Sequence, residues 1–290
     1  LIDAAAPIFS LLDRRDHLRT HINHKPGSHN FGVDNRQQLY RFMGDVFYPG
    51  DTSFDAKEIP SEAEVKSYDD LLVPLPEDNH SFNSIALGLM KGLPKPQSGS
   101  EAEQRKRLLK IVHAKEYTAT AKKVGGEGGV AHFQFALGRD WTVPATVFTP
   151  PEVKGTTLLI ADEGRAKQTT AVTQLMEDGY RVVALDPFFF GESKIKSRDF
   201  LHVILMHAVG ERALGVQSGQ LAAIADWAAE AYGGPVGLQS IGPRLSVSAR
   251  LAAVQTEAIQ SVTLHDPMTS LKEVITENRG ANHLPEMMCF

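Results

Sequence analysis

Beyond about residue 100, short apolar runs alternate with longer amphipathic segments. Mostly apolar runs predict buried strands at 156–161 and 180–185, and further strands are predicted at 132–137, 142–149, 236–239 and 261–264. Apolar residues three or four positions apart predict helices at 101–113, 167–178, 211–232, 243–255 and 271–278. This alternation is typical of an α/β protein with a mostly parallel sheet and helices on both faces.

The first hundred residues follow a different pattern. Residues 1–50 predict a short apolar segment, a brief strand at 19–24, a turn at Pro26-Gly27 and a helix that begins at Asp34. Residues 51–105 carry repeated prolines and clustered acidic residues, which are typical of a connector with one short helix at 82–90. We therefore expect a strand-loop-helix unit, a connector and an α/β region at 106–290.

The composition is that of an ordinary globular protein. The chain has 290 residues, of which 42% are hydrophobic and 22% charged, enough for one large domain or two smaller ones. The 30 basic and 35 acidic side chains are mixed along the chain and give a formal charge of −5, so no basic patch for nucleic acid is predicted. No apolar run has the length of a membrane span. The expected partner is a small or neutral molecule.

The single cysteine, Cys289, rules out an internal disulfide and a thiolate metal cluster. The chain begins at Leu1 and ends on four buriable residues, 287–290, so we expect a fragment of a longer chain. A terminal segment that packs is the alternative. Histidines are dense at positions 17, 21, 24 and 29, but no ligand spacing completes a set, and no metal or other cofactor is predicted.

Candidate chemistry centres on Ser240, because parallel sheets bind ligands at the carboxyl ends of their strands. Ser240 follows a predicted strand and precedes a helix, where serine hydrolases carry their nucleophile in the pattern G-x-S-x-G. Gly242 matches the second glycine of this pattern, whereas Leu238 stands in place of the first. The spacing fits a nucleophile, but it fits an N-cap of the helix that begins at Pro243 somewhat better.

Four segments together resemble the α/β-hydrolase superfamily: 182–193 (VVALDPFFFGES), 210–212 (GER), the turn at Ser240 and 270–275 (SLKEVI). Over about residues 106–290 the chain is similar to the amino-terminal part of bacterial acetyl-xylan-esterase-like and dienelactone-hydrolase-like enzymes. It departs from them at the first elbow glycine and by ending before the last two strands. The resemblance implies a serine esterase acting on carbohydrate or other small esters, and it favours a periplasmic or secreted location.

Residues 1–50 resemble the strand, loop and helix that close such a domain. The loop 25–30 (KPGSHN) matches the P-G-x-H loop that delivers the catalytic histidine, so the resemblance makes His29 the candidate base. A surface histidine is the alternative. Asp266, after the strand 261–264, is either the candidate acid or a turn residue before Pro267. The chain fits two architectures, a tandem of incomplete domains or a circular permutant in which both parts complete one sheet.

Two functions remain open at this point. In the first, Ser240 attacks an ester, His29 or a histidine outside these residues carries the proton, Asp266 orients the base, and the N–H groups of Ile241 and Gly164 bind the oxyanion. In the second, the region is a hydrolase-like module without catalysis that acts as a partner or interaction domain. The missing elbow glycine favours the second, and the fold alone does not distinguish them.

Overall fold

The computed structural model describes residues 1–95, 97–197 and 199–280, without the side chains of residues 199 and 200. The expectations for Cys289 and for residues 287–290 lie outside the described residues. The chain divides into two units, Leu1–Asn79 and His80–Phe290.

The first unit is helical. It contains α1 (Ile2–Leu11) and α2 (Val33–Phe47), with short 3₁₀ helices at Arg15–His17 and Asp69–Leu71. The strand predicted at 19–24 is wrong, because no described strand pairs with this segment and a lone strand leaves its backbone groups unpaired. The loop before α2 is ordered instead by side-chain amides, such as that of Asn35, which donates to the carbonyl of Asn30 at 2.7 Å.

The second unit has the predicted α/β alternation. Its helices are α3 (Phe82–Met90), α4 (Glu101–Ile111), α5 (Thr169–Glu177), α6 (Asp199–Ala208), α7 (Ala213–Tyr232), α8 (Pro243–Gln255) and α9 (Glu273–Thr276). Its strands are β1 (Ala119–Gly125), β2 (Val130–Leu137), β3 (Trp141–Phe148), β4 (Gly155–Ala161), β5 (Tyr180–Leu185), β6 (Val236–Ile241) and β7 (Ile259–His265). The bounds predicted for α3, α8 and β5 are confirmed, whereas β1 and α6 were not predicted.

The strands form one mixed sheet in the order β1-β2-β3-β5-β4-β6-β7. The pairings β1–β2, β2–β3 and β3–β5 are antiparallel, and β5–β4, β4–β6 and β6–β7 are parallel. The prediction of a mostly parallel sheet is therefore wrong for the β1–β3 half. The connections at 126–129 and 138–140 are too short for the crossover that parallel neighbours require.

Helices cover both faces of this sheet, as predicted. Along the central strands, side chains alternate between two cores. Leu158 and Ile160 of β4 share a core with residues of α7 and α8, whereas Leu159 shares a smaller core with Val172 of α5. The alternation of the strand thus assigns α7 and α8 to one face of the sheet and α5 to the other.

Candidate functional site

The carboxyl ends of β4 and β6 mark the point where the strand order changes direction. The chain leaves β4 towards α5 on one face and leaves β6 towards α8 on the opposite face. Loops that diverge in this way open a crevice, where sheets of this type bind their ligands. Asp162 follows β4 and Gly242 follows β6 at this point.

The turn from β6 into α8 is made by Gly242. Its φ of 104° and ψ of 159° lie in a region that suits glycine and disfavours residues with a side chain. The Gly242 N–H donates to the carbonyl of His265 at 2.9 Å. The next residue, Pro243, is the first of α8. Because proline has no N–H, the residue after the turn offers no backbone donor.

The carboxylate of Asp162 fills the space beside this turn. A Cβ atom on Gly242 would lie 2.5 Å from Asp162 Cγ and 2.6 Å from its Oδ2, closer than real Cβ contacts come. The two carboxylate oxygens accept the N–H groups of Arg244 at 2.9 Å and Leu245 at 2.8 Å. Asp162 therefore caps α8 from the neighbouring strand, and its negative charge suits the positive end of the helix.

Ser240 lies inside β6, two residues before the turn. The end predicted for this strand, Gln239, is wrong, because residues 240 and 241 still pair with both β4 and β7. Ser240 is fully buried, at 0% exposure, and its Oγ has no hydrogen-bond partner among the described residues. The serine is therefore neither at the turn nor at the N-cap of α8, where both interpretations of the sequence had placed it.

The two candidate oxyanion donors differ in backbone conformation, since Ile241 lies in a strand and Gly164 lies in a loop with a φ of 84°. Ile241 is the last residue of β6, and its carbonyl accepts the N–H of Asp162 at 2.9 Å. The Gly164 N–H donates to the carbonyl of Ala161 at 2.8 Å, which closes the turn after β4. The Gly164 donor is thus engaged within its own loop.

Asp266 and His29 are both exposed. Asp266 follows β7 with a φ of 50°, and its carboxylate has no hydrogen bond to another described residue. His29 lies in the first unit, in the loop at 25–30. Two other histidines of that unit pair with carboxylates: His21 Nε2 is 2.7 Å from Oδ2 of Asp34, and His17 Nε2 is 3.8 Å from Oδ2 of Asp16. The triad of Ser240, His29 and Asp266 stays a prediction.

A buried carboxylate, Asp186, holds the loops after β4 and β5 together. It is 1% exposed, and it accepts the N–H groups of Arg165 at 2.7 Å and Glu192 at 2.9 Å. The Arg165 guanidinium bridges Asp186 and the side chain of Glu192. Asp186 belongs to the segment 182–193 that carries the resemblance, so the sequence did contain a signal for this structural role.

Within the described ranges, no three His, Cys, Asp or Glu side chains are grouped so that they could hold a metal ion. None of the helices in the described part of the chain is both long and apolar enough to cross a membrane.

Comparison with known proteins supports the fold. No protein-family model and no curated protein matches the sequence. The chain superimposes on a candidate acetyl xylan esterase from Bacteroides fragilis with a TM-score of 0.50 and 14% identity, over 65% of this chain and 62% of that one. For acetyl xylan esterase 1 from Thermoanaerobacterium sp. JW/SL YS485 the TM-score is 0.42 and the identity 15%, over 61% of each chain.

The described sheet and the likeness to the candidate acetyl xylan esterase, at a TM-score of 0.50, define an α/β-hydrolase-like fold. The chain is structurally similar to this candidate esterase at low sequence identity, 14%. It spans about three fifths of the length of the two acetyl xylan esterase structures, 62% and 61%.

Proposed function

We propose that the second unit is an α/β-hydrolase-like module that does not itself act as a serine hydrolase and serves as a partner domain. The observation that carries this proposal is the turn after β6. A serine hydrolase needs a nucleophilic side chain at this turn and an N–H on the following residue. The turn residue here is Gly242, the next residue is Pro243, and the Asp162 carboxylate fills the space that a side chain would need.

The competing hypothesis is a serine esterase that removes acyl groups, such as acetyl, from carbohydrate or other small esters, with Ser240 as the nucleophile. The similarity to a candidate acetyl xylan esterase supports it. The burial of Ser240 weighs against it, because its Oγ would have to reach the carbonyl carbon of an ester. A hydroxyl at 0% exposure has no path to that carbon without movement of β6.

Fluorophosphonate labelling of the 290-residue chain, with mapping of any labelled peptide, distinguishes the two hypotheses. We expect no label on Ser240 and background hydrolysis of p-nitrophenyl acetate, both unchanged in Ser240→Ala. Ser270→Ala, at an exposed serine of the same unit, is the matched control. A label on Ser240 that disappears in Ser240→Ala, together with the loss of ester hydrolysis, would refute the proposal.

A further inference from the structure

A cavity of about 770 Å³ lies between α5 and the strands β2, β3 and β5. This α5 cavity is lined by residues of the second unit. β4 and β6 separate its strands from β7, the strand that precedes residues 266–280. Its volume lies in the range of small-molecule sites. None of its described lining residues belongs to the turn after β6, so an inference about the α5 cavity goes beyond the proposed function.

The floor of the α5 cavity follows the strand register. Phe148 of β3 pairs with Val130 of β2, and Thr146 pairs with His132. On its other side, Thr146 pairs with Ala184 of β5. Because alternate residues of a strand share a face, these five side chains lie on one face of the sheet. The hydroxyl of Thr146 lies 3.1 Å from Nδ1 of His132, so the two polar groups of the floor are hydrogen-bonded to each other.

One wall of the α5 cavity is apolar. Phe148, Val172 and Met176 line it and already share the smaller core of the sheet with Ala184. A hydrocarbon body in the cavity would extend this core, and the burial of its apolar surface is favourable. The thioether of Met176 also makes favourable contacts with aromatic rings. This wall therefore fits a ligand with an aromatic body.

The end of the α5 cavity that the loops after β4 and β5 form is charged. Its charged residues are Glu163, Arg165, Lys167, Asp186 and Glu192, so three carboxylates face two cations. The Arg165 guanidinium bridges Asp186 and Glu192, and its single charge is shared between two carboxylates. The side chains of Glu163 and Lys167 are exposed, and neither has a hydrogen bond or ion pair with another described residue. This end is therefore net negative.

The excess of carboxylates selects the charge of the ligand. An anion would add to the excess of negative charge, whereas a cation would offset it, and the formal charge of −5 on the whole chain also attracts cations. Among the described residues, no three potential ligands are grouped for a metal ion. An organic ammonium group needs no such group of ligands, because its N–H donors form charge-assisted hydrogen bonds with single carboxylates.

We propose that the α5 cavity binds a small organic ammonium ion with an aromatic body. The ammonium group donates hydrogen bonds to the carboxylates of Glu163 and Glu192 at the charged end. The aromatic body packs against Phe148 and Met176 and covers apolar surface of the smaller core.

Isothermal titration calorimetry of the 290-residue chain tests this proposal with three ligands that share a phenylbutyl body: 4-phenylbutylamine, 4-phenylbutanol and 4-phenylbutanoate. At about pH 8 the amine is protonated, as a lysine side chain is. We expect the amine to bind with a Kd of about 1 mM or tighter, the alcohol at least about threefold more weakly, and the acid more weakly still. Butylamine, which has the ammonium group without the ring, should bind at least about tenfold more weakly than 4-phenylbutylamine.

Substitutions at the charged end test the electrostatic part of the proposal. The double substitution Glu163→Gln/Glu192→Gln changes two exposed side chains and should weaken amine binding at least about fivefold, while the alcohol stays within about twofold. Lys167→Gln removes a like charge and should tighten amine binding about twofold. Glu152→Gln is the matched control, because Glu152 is an exposed carboxylate at the opposite end of β4, and it should leave binding of all the ligands unchanged.

A further variant tests the apolar wall. Met176→Ala should weaken binding of the amine and of the alcohol alike, at least about threefold. The proposal is overturned if the amine does not bind the wild-type chain, if the alcohol or the acid binds as tightly, or if the folded carboxylate and Met176 variants bind like wild type. None of these outcomes affects the labelling result at Ser240, so the two proposals fail separately.

Discussion

A double-mutant cycle at Gly242 and Asp162 tests the geometry of the turn directly. Gly242→Ala adds a Cβ atom 2.5 Å from Asp162 Cγ and 2.6 Å from its Oδ2. Asp162→Ala removes both of those atoms and also the cap of α8. If the carboxylate fills the place of a side chain at the turn, Gly242→Ala should lower the free energy of unfolding less in the Asp162→Ala variant than in the wild type.

The magnitudes follow from the contacts. Gly242→Ala places a non-glycine residue at a φ of 104°, which costs about 1–3 kcal/mol, and the overlap with Asp162 costs about another 1–3 kcal/mol. Asp162→Ala loses two hydrogen bonds to the helix N-terminus, for about 0.5–2 kcal/mol, and a favourable charge, for about 0.3–1 kcal/mol. The overlap disappears in the double variant. It should therefore be about 1–3 kcal/mol more stable than the sum of the single losses predicts.

Guanidinium unfolding followed by tryptophan fluorescence measures these free energies for the second unit, because both tryptophans, Trp141 and Trp227, lie there. Gly210→Ala is the matched control, since its φ is also positive, at 83°, and nothing lies within 4 Å of its added Cβ. The losses in free energy of unfolding from Gly210→Ala and Asp162→Ala should be additive. If the losses at Gly242 and Asp162 also add to within about 0.5 kcal/mol, our account of the turn is refuted.

Three further outcomes are expected of the second unit. Ser240→Ala should leave the unfolding free energy unchanged or raise it, since the buried Oγ has no described partner; a loss above about 1 kcal/mol in denaturant unfolding would contradict this. Asp186→Ala should cost about 3–5 kcal/mol because it leaves buried donors unpaired, whereas Glu192→Gln, at an exposed partner, should cost about 1 kcal/mol or less in the same assay. Burial, and then the charge of Glu211, raises the pKa of Tyr117 to about 12, so the folded state keeps this proton at pH values where the unfolded chain has lost it. Stability should consequently fall between about pH 10 and 12 in a pH series, and less so in Tyr117→Phe.

The elements that the sequence predicted best are those with strong local signals. β5 lies between Gly179 and Asp186 and contains the apolar run 182–185 (VVAL), and α8 has Pro243 at its first position, where the ring and the missing N–H favour a helix start. β1 carries two lysines and is mostly exposed, so it lacks the apolar alternation that identifies a strand. Its pairing with β2 is what makes it a strand.

The candidate site was harder to predict because its geometry depends on residues far apart in the sequence. Ser240 and Gly242 match part of the elbow pattern, which placed the serine at the turn. The structure moves the turn by two residues, because the pairing of β6 with both neighbours extends the strand to Ile241. Asp162 accepts the N–H groups of Arg244 and Leu245, which lie 82 and 83 residues further along the chain, and no local sequence pattern predicts such a contact.

Because the ribosome makes the chain from its amino end, the antiparallel half of the mixed sheet is synthesised before the parallel half. β1, β2 and β3 are consecutive, so each can pair as soon as the next one leaves the ribosome. β4 pairs with β5 after about 25 further residues, but its other edge waits for β6, about 80 residues later. Until Val236 has been made, this edge of an apolar strand is open to pairing with another chain. A translation pause before β6 therefore leaves this edge of β4 exposed to aggregation.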